Sequence, residues 1–199
     1  MVRYQLDDDK DPNRKPKNDP IDLHEWRTNA VDEEVSAQRY RPSDPGAHYG
    51  GSWRSIPVFT GALQTTTAVS GATNVRLGLV EDWVNCDRLL IGPVSVANGP
   101  RVFEITGPAA WAELVSAYPL VTTASRRHEW YQATGEALDW FIPDWSAVAA
   151  DYDGVQLTMW GYLTTPGMAI PVDAGATMLA GWNPDTTFWL HPETHNVRG

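Results

Sequence analysis

Hydrophobic positions are spread very unevenly along this chain of 199 residues. Residues 1–49 are charged and proline-rich and hold only Trp26 of the ten tryptophans, whereas residues 50–199 hold the rest and nearly all the long apolar runs. A single segment of residues 1–49 has helical character. Thr28 or Asn29 can cap a helix over 30–40, with Asp32, Glu33 and Glu34 early and Arg39 late, the charge order that suits the helix dipole. Its apolar positions, Val31, Val35 and Tyr40, form a narrow stripe. Such a helix is marginal alone and needs a surface, on its own domain or on another chain. Arg41-Pro42-Ser43-Asp44-Pro45-Gly46 then breaks regular structure, and Gly50-Gly51 marks where the globular region begins.

Beyond Gly51 the pattern shortens. Residues 55–71 are rich in Thr, Val and Gly, which favours strands and turns. Residues 75–83 read as a strand with Val75, Leu77 and Leu79 on one face, and 89–96 as another. Val102–Ile105 is a short strand leading into a helix over 108–118. There Thr106 caps, Pro108 takes an early position, and Trp111, Leu114, Val115 and Tyr118 recur at helical spacing until Pro119 stops it. Residues 126–144 read as irregular and crowded with aromatic rings. Asp144 can cap a short helix over 145–150. Residues 155–163 read as the strongest strand, with Val155, Leu157, Met159 and Gly161 facing one way. Residues 168–172 and 177–180 pair through Asp173-Ala174-Gly175, and Trp182-Asn183-Pro184-Asp185 turns into a last strand over 186–190.

The fold class expected is α+β, a compact domain over 50–199 of short, mainly antiparallel strands with two short helices. An extended proline-rich arm, residues 1–49, precedes it. The expected core comprises Trp111, Leu114, Val115, Leu157, Met159, Trp160 and Trp189, with the 108–118 helix packed on a sheet containing 155–163.

Charge and composition narrow the function classes. A net charge of −10 disfavours a nucleic-acid backbone as main partner, because binding by counterion release needs a basic patch. The lone cysteine, Cys86, rules out an intrachain disulfide and a Cys-based zinc cluster, and reads as a small inert hydrophobe. No charged n-region with an apolar h-region opens the sequence, and no apolar run approaches ~20 residues. The expectation is a cytoplasmic protein, or one assembled in the cytoplasm into a particle, with no membrane contact.

Candidate chemistry is sparse. In the polar-aromatic stretch from Ser125 to Tyr131, Arg126 and Arg127 can clamp a phosphate or carboxylate. His128 can serve as general base with Glu129 or Asp144 nearby. The plainer reading is structural, with the arginines pairing with the acidic surface. On that reading His128→Ala costs roughly 1 kcal/mol, an ordinary substitution. Asp82-Trp83, Asp139-Trp140 and Asp144-Trp145 join a ring face to a carboxylate, as sugar or cation sites do, although tryptophan more often fills a core. His191 and His195 have ligand spacing on a helix, but Pro192 opposes one there. Asp7-Asp8-Asp9 and the acids at 151 and 153 lack the remaining positions of a calcium loop. No glycine pattern cradles phosphate. Neither cofactor nor metal is expected.

The order of short strands after Val102, with DYDGVQLT and the terminal WNPDTTFWL, resembles the closing strands of ADP-ribosyltransferase-type toxin domains. That resemblance implies a catalytic Glu on a late strand and an Arg or His on an early one. Residues 155–163 contain no Glu, so no residue is carried over from it. Two readings follow. In the first, the protein is a non-catalytic component of a multi-chain assembly, such as a virion or other shell. Its arm contacts neighbouring protein chains through Trp26, Val31, Val35 and Tyr40, and removing residues 1–49 leaves 50–199 folded. In the second, it is a small toxin-like effector with a site at Arg126, Arg127, His128 and Asp144. The missing catalytic motif favours the first.

Overall fold

In the computed structural model, which describes residues 2–6, 23–57, 64–66, 89–95, 99–191 and 196–197, seven strands make one sheet. Across it lie Asn196–Val197 (β11), Leu89–Ser95 (β3), Val2–Leu6 (β1), Gln64–Thr66 (β2), Thr186–Trp189 (β10), Gly154–Leu157 (β7) and Val102–Ile105 (β4). Every neighbouring pair is antiparallel except β4 with β7. Two small antiparallel ladders flank it. One joins Pro119–Val121 (β5) to Phe141–Pro143 (β6), the other Ile170–Val172 (β8) to Gly175–Thr177 (β9). The described helices are α1 (Leu23–Tyr40), α2 (Pro108–Ala117), α3 (Thr123–Thr134), α4 (Trp145–Asp151) and α5 (Met159–Thr164). The fold is therefore mixed helix and strand, rich in antiparallel pairing, with five described helices where three were expected, one in residues 1–49 and two in the domain.

The core forms where alternation and helical spacing meet. Val155 and Leu157 of β7 and Phe188 of β10 pack with Trp111, Leu114 and Val115 of α2 and with Trp145 and Val148 of α4, all buried. The indole N–H groups find acceptors: Trp111 Nε1 donates to Thr177 Oγ1 (3.1 Å) and Trp145 Nε1 to the Ser55 carbonyl (3.1 Å). Each such ring removes apolar surface worth at most about 4–6 kcal/mol. The parallel β4–β7 register is set by a clip at its start. The Arg101 N–H donates to Asp153 Oδ2 (2.7 Å) and the Asp153 N–H donates to the Arg101 carbonyl (2.8 Å).

Several expectations are met closely. β4, α2, α4 and β10 lie where local signals place them, although the helix cap is Gly107 rather than Thr106. The expected hairpin forms, but its turn is shorter: Gly175 already pairs with Val172, so β9 is Gly175–Thr177 rather than 177–180. Others are corrected. Residues 155–163 are not one strand, because β7 loses its neighbour when β4 ends at Ile105, paired with Leu157. Thr158 then caps α5, accepting from the Gly161 N–H (3.0 Å) and donating to the Ile105 carbonyl (3.1 Å). Trp160 consequently points outward and Met159 is only partly covered, so neither belongs to the core. Residues 126–131 are helical, not irregular. The inward side of α3 carries Ser125, Arg126 and His128, and a polar buried face shows no apolar period. Gly135 ends that helix in a left-handed conformation (φ 75°), its N–H bonded to the Tyr131 carbonyl. The first helix starts at Leu23 rather than near 30, leaving Thr28 and Asn29 inside it. Strand 75–83, Asp82-Trp83, Cys86 and His195 lie outside the described residues.

Candidate functional site: the seam between the first and third helices

α1 lies against α3 and α4. At the centre of this seam Glu34 is buried, and its two carboxylate oxygens accept from the N–H groups of Ala124 (2.9 Å) and Ser125 (2.8 Å). Those donors belong to the first turn of α3 and have no partner within it. The local N-cap, Thr122, makes no side-chain cap, so α1 supplies one from across the fold, with its negative charge at the positive end of the dipole. Gln38 Nε2 donates to Glu34 Oε1 (3.1 Å) and fixes the carboxylate.

Residues 41–57 then run across α3 with no helix or strand of their own. They are tied down almost entirely by side chains. Arg41 donates to the Ser125 carbonyl (2.7 Å) and to Glu33 (3.2 Å), which also accepts from Ser52. Arg127 donates to the Pro42 carbonyl (2.7 Å), Trp130 Nε1 to the Trp53 carbonyl (2.6 Å), and Arg126 to the Arg54 carbonyl through Nε and Nη2. Glu129 accepts from the Gly51 N–H (3.3 Å). Gly51 is required here: a Cβ would sit 2.7 Å from the Ser125 carbonyl oxygen.

The expected ligand-binding residues thus belong to a fastening. Burial pushes the Arg126 guanidinium down to about 10, against the pull of Glu33 and Glu34 that favours its charge, so it remains cationic at neutral pH. It lies over the Trp130 ring, 5.9 Å from the centroid. His128 is buried beneath Tyr49 (ring centroids 5.5 Å apart), and its Nε2 has no hydrogen-bond partner among the described residues. Alanine at 128 would leave a ring-sized void, a larger cost than the ordinary one read from the sequence. Asp144 caps α4 as expected, accepting from the Ala147 N–H (3.3 Å), and it also pairs with Arg27 of α1 (2.5 Å). Arg126, His128 and Asp144 are each more than nine-tenths buried, and only Arg127 reaches the rim.

The four expected partner contacts divide. Trp26 and Val31 are partly covered and pack on the protein's own core, whereas Val35 (50% exposed) and Tyr40 (70% exposed) face outward. Trp140 and Trp145 are core residues rather than ligand platforms. His191 Nε2 lies 2.8 Å from the Ala149 carbonyl. Asp151 accepts from the Tyr118 hydroxyl (2.7 Å), a bond that pushes the phenol up to about 12. No three His, Cys, Asp or Glu side chains among the described residues gather into a metal-binding group.

Two polar residues escaped the sequence reading. Glu34 looked like a first-turn acid. Asp185 looked like a turn residue, yet it is buried and accepts from Thr66 Oγ1 (3.3 Å) and Gln156 Nε2 (3.2 Å), joining β2, β7 and β10. Its positive φ (49°) is one that Asp tolerates better than most side chains. Comparison with protein-family models, with curated proteins and with solved structures found no match. No described helix is long and apolar enough to cross a membrane.

Proposed function

We propose that this protein is a non-catalytic component of a larger protein assembly in the cytoplasm, of the kind that builds a particle shell. Neighbouring protein chains are contacted through the N-terminal segment. The observation that carries the reading is the two-sidedness of α1. Its inner side is fixed by Glu34, Arg27 and Ala37, while its outer side holds Val35 and Tyr40 in water. A rigid helix presenting apolar side chains loses little further freedom on docking, which lowers the entropic cost of association. Trp26 and Val31 act from beneath, setting the helix in place. The effector reading needs Arg126, His128 and Asp144 to meet a substrate, and their burial weighs against it.

The test is native mass measurement on the protein isolated from its own cells, beside a Val35→Asp/Tyr40→Asp variant. The wild type is expected in a multi-chain complex and the variant, with an unchanged circular dichroism spectrum, as a single chain. A wild type that runs alone, or a variant that stays in the complex, would sink the proposal.

A further inference from the structure

We infer that the outer face of α5, with the turn that follows it, docks the apolar side of a basic amphipathic helix from another protein. This surface is separate from Val35 and Tyr40 and goes beyond the assembly contact proposed for α1.

The inner side of α5 is pinned. Gly161 rests so close to the Ile105 carbonyl that a Cβ would collide with its oxygen, and Thr158 ties the helix start to the same carbonyl. With that side fixed, Trp160 and Leu163 are forced outward, 68% and 61% exposed, and Met168 in the next turn is 45% exposed. Residues three apart on a helix are neighbours, about 5–6 Å between Cβ atoms, so the first two form a ridge. Large apolar groups exposed singly need no explanation, but Trp160 and Leu163 stand side by side on one turn of helix.

Charge identifies the partner. Residues 154–172 contain no Asp, Glu, Lys or Arg, in a chain where such residues make up 20%. Aromatic and methionine side chains without charge are the composition of an interface centre. The charge next to this helix is acidic: exposed Glu104 directly precedes the Ile105 on which Gly161 rests. A second copy would bring like charges together, and the chain already carries −10. A helix with Lys or Arg beside its apolar stripe offers the complementary rim, and its grooves accept a ridge spaced like Trp160 and Leu163.

The probe is a labelled synthetic helix of about 15 residues with a leucine stripe and a lysine face, titrated against the full chain by fluorescence anisotropy. The comparison peptides are one with Glu in place of Lys and one of the same composition with the stripe scrambled. Binding of the Leu/Lys peptide is expected to weaken at least tenfold in Trp160→Ser/Leu163→Ser. Glu104→Lys should weaken it several-fold, and both comparison peptides should bind at least tenfold less tightly. Both sites are exposed, and circular dichroism confirms the fold of each variant. Failure of the Leu/Lys peptide to bind, equal binding by the scrambled peptide, or indifference to the Trp160/Leu163 change overturns the inference. So does a wild type that self-associates through this face, seen as a dimer that Trp160→Ser abolishes.

Discussion

Glu34 and the N–H groups it caps are separated by about ninety positions, yet one carboxylate satisfies two donors at the start of α3. A capping box keeps its acid three residues from the cap, where it can be read locally. Here the acid arrives on another helix, and no spacing reveals it. Removing it leaves two buried N–H groups without an acceptor, each expensive. We expect Glu34→Ala to lower unfolding free energy by about 2–4 kcal/mol in urea denaturation, and Glu34→Gln, which keeps an acceptor oxygen, by roughly half that. A loss within ordinary surface scatter, about 0.5 kcal/mol, would show that the cap is redundant.

The parallel pair β4–β7 depends on the Arg101–Asp153 clip, and that clip titrates. The Arg101 N–H holds the Asp153 carboxyl below its usual value; burial, the next influence in size, opposes it, and the Arg101 guanidinium and His191 add smaller pulls downward. A carboxyl depressed in the folded state contributes stability above its unfolded pKa of about 3.9 and loses it as pH falls through the folded value. Wild type should therefore exceed Asp153→Asn in stability at neutral pH, with the gap closing below about pH 4. Parallel denaturation series at both pH values check this, and a gap that persists in acid would remove Asp153 from the account. The same pair explains why the 155–163 pattern misled. Alternation continues through Met159 and Gly161, but the ladder stops at Ile105–Leu157, and a strand without a neighbour has nothing to pair with.

At the scale of the molecule, the first 49 residues are joined to the rest more closely than their composition suggests. β1 pairs with β2 and β3, Leu23 and Ala37 of α1 are buried, and Arg27, Glu34 and Arg41 reach α4 and α3. The contacts argue against residues 50–199 folding alone. Deleting 1–49 strips the cap from α3 and uncovers apolar surface on α3 and α4. We expect the truncated chain to lose its cooperative thermal transition by circular dichroism. A sharp transition near that of the full chain would return the segment to the status of a detachable arm.

Residues alone determined the elements whose causes are local. Pro108 and the Trp111–Leu114–Val115 spacing set α2, Asp144 set the start of α4, and the Trp182-Asn183-Pro184-Asp185 turn set the start of β10. Tertiary structure decided the rest: the seven extra residues at the start of α1, the helical state of α3, the end of β7 and the outward turn of Trp160. It also turned Arg126 and His128 from candidate ligand contacts into members of a buried seam. The physical reason is common to all of these. Capping, alternation and helical spacing act over a few residues and leave a trace in sequence order. The hydrogen bonds of Glu34, the carbonyl of Arg54 and the edge of β4 act across tens of residues, where only the folded chain brings the partners together.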